Sequence, residues 1–116
     1  MTTRTSIPGA DQLLGNGVDR RMPKDVPPPV RDRHAVVVGE PAECAAAARQ
    51  LSEAGWKVTM VTDASDCGRG MRRGFRRRVR TEVVCATGID YLEAVVLRRI
   101  DTGRIEACNA SALFLL

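Results

Sequence analysis

The chain has 116 residues, of which 44% are hydrophobic, 28% charged and 3% aromatic, and its formal net charge is +4. That length carries one domain and one core, and the composition is ordinary for a soluble globular protein. No apolar run approaches the roughly 20 residues of a membrane helix, and with the polar opening Met1-Thr2-Thr3-Arg4-Thr5, leading into Pro and Gly, no secretory signal is expected. A cytoplasmic protein without membrane contact is expected. Cys44, Cys67, Cys85 and Cys108 are unevenly spread without a Cys-x-x-Cys pair, and the single histidine lies far from any ligand-like cluster in the sequence. These spacings argue against a zinc site and against a dithiol redox centre, and they read as scattered thiols in or near the core.

In chain order, residues 1–33 read as an extended arm. Pro8-Gly9, Gly15-Asn16-Gly17 and Pro27-Pro28-Pro29 interrupt regular structure there. Only Leu13, Leu14 and Val18 offer apolar side chains for docking, so a loosely held linker with a stiff triple proline is expected. Residues 34–116 form the domain. Ala35-Val36-Val37-Val38 stops at Gly39 and reads as a strand buried on both faces, as in parallel sheets. Pro41 to Ala54 is helical, with Pro41 in the first turn and Gly55 as the left-handed cap. Lys57-Val58-Thr59-Met60-Val61 is the next strand, and together these three segments make a βαβ unit.

Beyond Asp63 the pattern weakens, and any helix between Cys67 and Arg78 is short or frayed. Strand character returns at Val79–Cys85, Tyr91–Ile100 and Arg104–Ala107, with a hairpin turn at Asp101-Thr102-Gly103. Ala112–Leu116 is a final apolar strand. A core strand on the last residue is unusual, and the chain is expected to stop short of a complete domain. The expected fold is therefore α/β: a small Rossmann-like parallel sheet of three or four strands, one main helix, and an inserted antiparallel β-meander.

The turn between the first strand and the helix is where a dinucleotide pyrophosphate would sit, because helix N-terminal N–H groups and the helix dipole favour an anion. The working pattern is Gly-x-Gly-x-x-Gly or Ala, and here it reads Gly39-Glu40-Pro41-Ala42-Glu43-Cys44. Gly39 keeps the tight turn. Pro41 removes an N–H donor where the phosphate should approach, and Cys44 stands at the close-packing position. Glu40 and Glu43 each repel a phosphate by roughly 1 kcal/mol when solvated and about 4 when partly buried. Asp63, at the end of the second strand, is placed either to accept ribose hydroxyls, which favours NAD, or to cap the next turn. Arg69, with Arg72 and Arg73, stands near enough in sequence to hold a 2′-phosphate instead. Gly39, Glu40, Pro41, Ala42, Asp63 and Arg69 are thus the candidate cofactor-binding residues; no metal ligand is among them.

His34–Gly39, the helix and Lys57–Asp63 resemble the pyridine-nucleotide domain of thioredoxin reductase-like flavoproteins. The resemblance runs on through Arg80-Thr81-Glu82-Val83-Val84, Tyr91–Arg98, Asp101-Thr102-Gly103 and Ala110–Leu116. Upstream, Ile7-Pro8-Gly9-Ala10-Asp11 and Leu14-Gly15-Asn16-Gly17-Val18 look like the crossover that follows the flavin-binding half. Two departures stand out. Asp19-Arg20-Arg21-Met22 occupies the place of the family's redox-active cysteines, and the segment between Asp63 and Val79 is shorter than the family's. The resemblance implies enzymes that pass a hydride from NADPH to FAD and onward to a disulfide or another acceptor, chemistry that the flavin carries. For this stretch it implies a truncated, degenerate NAD(P)-binding domain with weak nucleotide affinity, no FAD binding of its own, no independent turnover and no catalytic residue to carry over.

Seven arginines between Arg69 and Arg80 (Arg69, Arg72, Arg73, Arg76, Arg77, Arg78 and Arg80) form a basic patch in an otherwise slightly acidic chain. With Phe75 as its only stacking group and no recognised binding motif, it reads as a solvated remnant of a shortened helix rather than a nucleic-acid site. The alternative function is a basic interaction module for anionic partners such as nucleic acid. Docking to a separately encoded flavin domain and self-association through exposed strand edges are the other partner expectations.

Overall fold

The computed structural model describes residues 7–29, 33–64 and 75–116. A five-stranded parallel sheet contains β1 (Val18–Asp19), β2 (His34–Val38), β3 (Lys57–Val61), β4 (Phe75–Arg78) and β8 (Ala112–Leu115). Its strand order is β1-β8-β2-β3-β4. The helix α1 (Pro41–Glu53) joins β2 to β3. Between β4 and β8 the chain builds an antiparallel meander of β5 (Thr81–Thr87), β6 (Ala94–Arg99) and β7 (Ile105–Asn109). The expected α/β class, the βαβ unit and the inserted meander are all present.

Period-two alternation in the central strands feeds two separate cores. Ala35 and Val37 of β2, Val58 and Met60 of β3, and Ala112 and Phe114 of β8 pack against Cys44, Ala47, Ala48 and Leu51 of α1. Those helix residues recur at i, i+3, i+4 and i+7, which makes one buried stripe. Val36, Val61 and Leu113 point to the other face and meet Ala86, Leu92, Val95 and Leu97 of the meander side. A sheet covered on both faces explains the unbroken valine run of β2, because neither face is left to water. The helix stops in a Schellman arrangement: Gly55, at φ +99°, donates to the Ser52 carbonyl, and Trp56 donates to that of Leu51.

Three differences from the sequence expectations have local causes. Residues 7–19 are packed where a loose linker is expected. Ala10, Leu13 and Val18 are buried in the meander-side core, while Leu14 is 41% exposed. Val18 and Asp19 pair in parallel with Leu113 and Phe114. Phe75–Arg78, expected as a helix remnant, is instead the edge strand β4, in register with Val58–Val61. The free edge of β3 accepts it because backbone pairing needs no apolar side chains. With β1 and β4 at its borders, the parallel sheet has five strands rather than three or four.

Candidate functional site

The chain runs from β2 to β3 and β4 on one side, and returns as β8 on the other side of β2. The strand order therefore reverses between β2 and β8, and ligands of open α/β sheets settle outside the carboxyl ends of the strands at such a point. The turn at residues 39–42 lies at that edge. Gly39 N–H donates to the Val61 carbonyl at 3.2 Å, which carries the β2–β3 ladder one residue past β2. On the other side Leu116 N–H donates to Val38, and a Cβ on Gly39 would stand 3.1 Å from the Leu116 Cβ. Gly39 is therefore required by close approach as well as by the turn.

Glu40 is the N-cap residue in an extended conformation, its side chain making no cap hydrogen bond, and Pro41 opens the helix. Cys44 N–H closes the first helical bond to the Glu40 carbonyl at 2.9 Å. Ala42 and Glu43 thus present first-turn N–H groups of the kind a helix leaves without an intrahelical partner. Pro41 supplies none. Glu40, Ala42 and Glu43 are all exposed. Cys44 is fully buried, its sulfur 3.9 Å from the Val37 carbonyl and 4.0 Å from that of Val61, so it fills the close helix–strand approach without disturbing the helix.

Asp63 is exposed two residues past the end of β3, on the same edge as Gly39. The preceding Thr62 is buried; its N–H donates to Arg78, and its carbonyl accepts from Thr81. Its hydroxyl accepts from the Ala64 N–H at 3.3 Å, so the turn after β3 is capped by Thr62. The structure thus brings Gly39, Glu40, Pro41, Ala42 and Asp63 to one edge. Arg69, with Arg72, Arg73 and Cys67, lies outside the described residues.

Tested against a dinucleotide, this edge fits only in part. The tight turn, the switch point and two first-turn donors are in place. One donor is missing, and three exposed carboxylates (Glu40, Glu43 and Asp63) stand along this edge with no described cation among the turn residues.

A second constellation escaped the sequence, because its members are 25 to 75 residues apart. His34 opens β2, on the face toward the meander. Its Nδ1 donates to the Asn109 carbonyl at 2.7 Å, as it must because a carbonyl only accepts, and its Nε2 lies 2.6 Å from the Thr59 hydroxyl. The Cys108 sulfur is 3.4 Å from Nδ1. Burial, then the Glu106 carboxylate, push the Cys108 thiol up; the Arg76 and Arg78 guanidiniums and a hydrogen bond with Thr59 oppose them. The lone histidine is therefore not isolated from sulfur, contrary to its place in the sequence. Among the described residues there is still no group of three or more potential metal ligands. No described helix is long and apolar enough to cross a membrane.

No protein-family model and no curated protein sequence matches the chain. Solved structures do match. The thioredoxin reductase of T. acidophilum superposes with a TM-score of 0.78 at 14% identity, over 98% of this chain and 40% of that one. That of Gloeobacter violaceus gives 0.73 at 23% identity, over 98% and 37%. The bacillithiol disulfide reductase of Bacillus cereus gives 0.73 at 16% identity, over 96% and 35%. The chain has the fold of one part of thioredoxin reductase-type proteins. It spans about two-fifths of the length of the reductases it matches.

Proposed function

We propose that this stretch is the pyridine-nucleotide side of a thioredoxin reductase-like flavoprotein, degraded so that NAD(P) affinity is weak and no redox turnover occurs without a flavin held elsewhere. The observation that carries the reading is the turn Gly39-Glu40-Pro41, which opens α1 at the point where the strand order reverses. The position is right for a pyrophosphate, and the residues oppose one. Gly39 and the N–H groups of Ala42 and Glu43 would meet the phosphates, and Asp63 the adenosine ribose. Nicotinamide would supply the hydride and flavin would receive it; this chain's residues bind and orient the donor.

Calorimetric titration with NADH and NADPH, run beside a salt-dependent DNA-binding assay, tests the proposal. Weak binding of a reduced nucleotide is expected, strengthened at least about tenfold when Glu40→Gly and Pro41→Gly are combined. A double variant that binds no better than the original chain would overturn it. A steep salt slope for DNA without nucleotide binding would transfer the reading to a basic interaction module.

A further inference from the structure

A cleft of about 610 Å³ opens between the parallel sheet and the β7 edge of the meander, well away from the Gly39 turn. His34, Thr59 and Cys108 line it together with Lys57, Arg76, Arg78 and Glu106. Parallel pairing sets Arg76 beside Thr59 and Arg78 beside Val61. Thr59 and Val61 face the meander, so both arginines project over the same face, about 7 Å apart along the strand. Arg77, between them, points to the opposite face of the sheet.

The charges of this lining have a definite balance. Arg78 donates to Glu106 from Nε at 2.7 Å, so one guanidinium is already matched. The ion pairs among the described residues engage neither Arg76 nor Lys57. Three cationic side chains against one carboxylate leave the lining two charges positive while His34 is neutral. Burial keeps the Cys108 thiol protonated near neutrality, so it adds no negative charge to the floor. Arginine forks present several N–H donors in a plane and suit the oxygens of a tetrahedral anion. Among the described residues, no Phe, Tyr or Trp side chain lines the cleft.

We propose that this cleft is a binding site for a small dianion of the phosphate class, held by Arg76, Arg78 and Lys57 above a floor of Cys108, His34 and Thr59. The site is independent of the nucleotide turn, and it stands or falls separately from the reading of that turn. Cys108 makes it testable, because an anion in the cleft covers a thiol whose alkylation can be followed by peptide mass mapping. The full chain is treated with iodoacetamide in rising inorganic phosphate, with ionic strength matched by sodium chloride. Cys85, on β5 and outside the cleft, serves as the internal reference. Phosphate is expected to slow alkylation of Cys108 while leaving the Cys85 rate unchanged, and chloride alone is expected to do neither. Arg76→Gln should raise the phosphate concentration needed by at least about tenfold, the loss expected for one charged hydrogen-bonding partner. Arg77→Gln, an equal charge loss on the other face, should leave it within about twofold. Arg76→Lys should recover part of the protection, which separates a local charge effect from a folding defect. Equal protection of Cys85 and Cys108, protection that survives Arg76→Gln, or no protection at all would overturn the proposal.

Discussion

Two corners of the same βαβ unit differ in what they offer an anion. Where β2 ends, Gly39 turns into a helix start, the location at which dinucleotide folds place phosphate, yet the side chains there are Glu40, Pro41, Glu43 and, one strand over, Asp63. Beside the start of β2, beneath the meander and away from the carboxyl ends of the strands, the side chains are His34, Lys57, Arg76 and Arg78. Position and chemistry have come apart. A backbone switch point does not by itself supply the groups a phosphate needs, which is why a site has to be judged by its residues and not by its fold.

The largest expected effect tests whether the two corners depend on one scaffold. Leu51 is fully buried between α1 and the sheet and sits at the centre of the helix-side core. Leu51→Ala should lower unfolding stability by about 2–5 kcal/mol, read from urea denaturation. The turn at Gly39 should then lose amide-exchange protection before β6 does, because α1 contributes nothing to the meander-side core. Simultaneous loss at both corners would show them to be one cooperative unit. Next in size is Gly39→Ala. Its new Cβ meets Leu116 at 3.1 Å, in a backbone conformation that side chains rarely adopt, and about 1–3 kcal/mol of strain is expected. The thermal midpoint measures it, and the cleft-side protection of Cys108 should be unchanged.

Much of this architecture is legible in the residues, and what is hidden is hidden for physical reasons. Val36–Val38, the Cys44/Ala47/Ala48/Leu51 stripe and the Asp101-Thr102-Gly103 turn announce themselves because the signal is local: a period, a cap, a turn. β1 is two residues long and exists only because Leu113 and Phe114, far along the chain, offer an edge. β4 is written Phe-Arg-Arg-Arg, a sequence without an alternating apolar pattern; its partner β3 imposes the strand. The turn after β2 is legible residue by residue, since each departure from the Gly-x-Gly-x-x-Gly pattern, Pro41 and Cys44, can be named. The His34–Cys108 pair is not, because only the folding of β7 beneath β2 and β3 brings it together.

Smaller effects sharpen the electrostatic half of the comparison. Replacing Glu40 or Glu43 by Gln should tighten NADH binding by roughly fivefold for each carboxylate, the solvated repulsion of one charge, measured by calorimetry. The same substitutions should not alter phosphate protection of Cys108. The smallest effects are on pH dependence. Burial raises the Cys108 thiol above its ordinary range, so its contribution is fully present below that range and is lost as pH rises through the folded-state value. Stability should therefore fall at alkaline pH, and Cys108→Ala should flatten that limb. Burial likewise raises the Asp19 carboxyl at the β1 edge. Its contribution is complete below the ordinary carboxylate range and disappears as pH rises through the raised value. Asp19→Asn should remove that dependence, visible as a higher thermal midpoint relative to the original chain at neutral pH than at strongly acidic pH.

The most direct measurement is an amide-resolved NMR titration of the chain with NADH, which carries no phosphate monoester. Shifts are expected at Gly39, Ala42, Glu43 and Asp63, saturating only in the millimolar range, with the amides around Cys108 unmoved. Shifts that avoid the Gly39 turn, or no shift anywhere, would contradict the assignment of a weakened nucleotide site to this edge of the sheet.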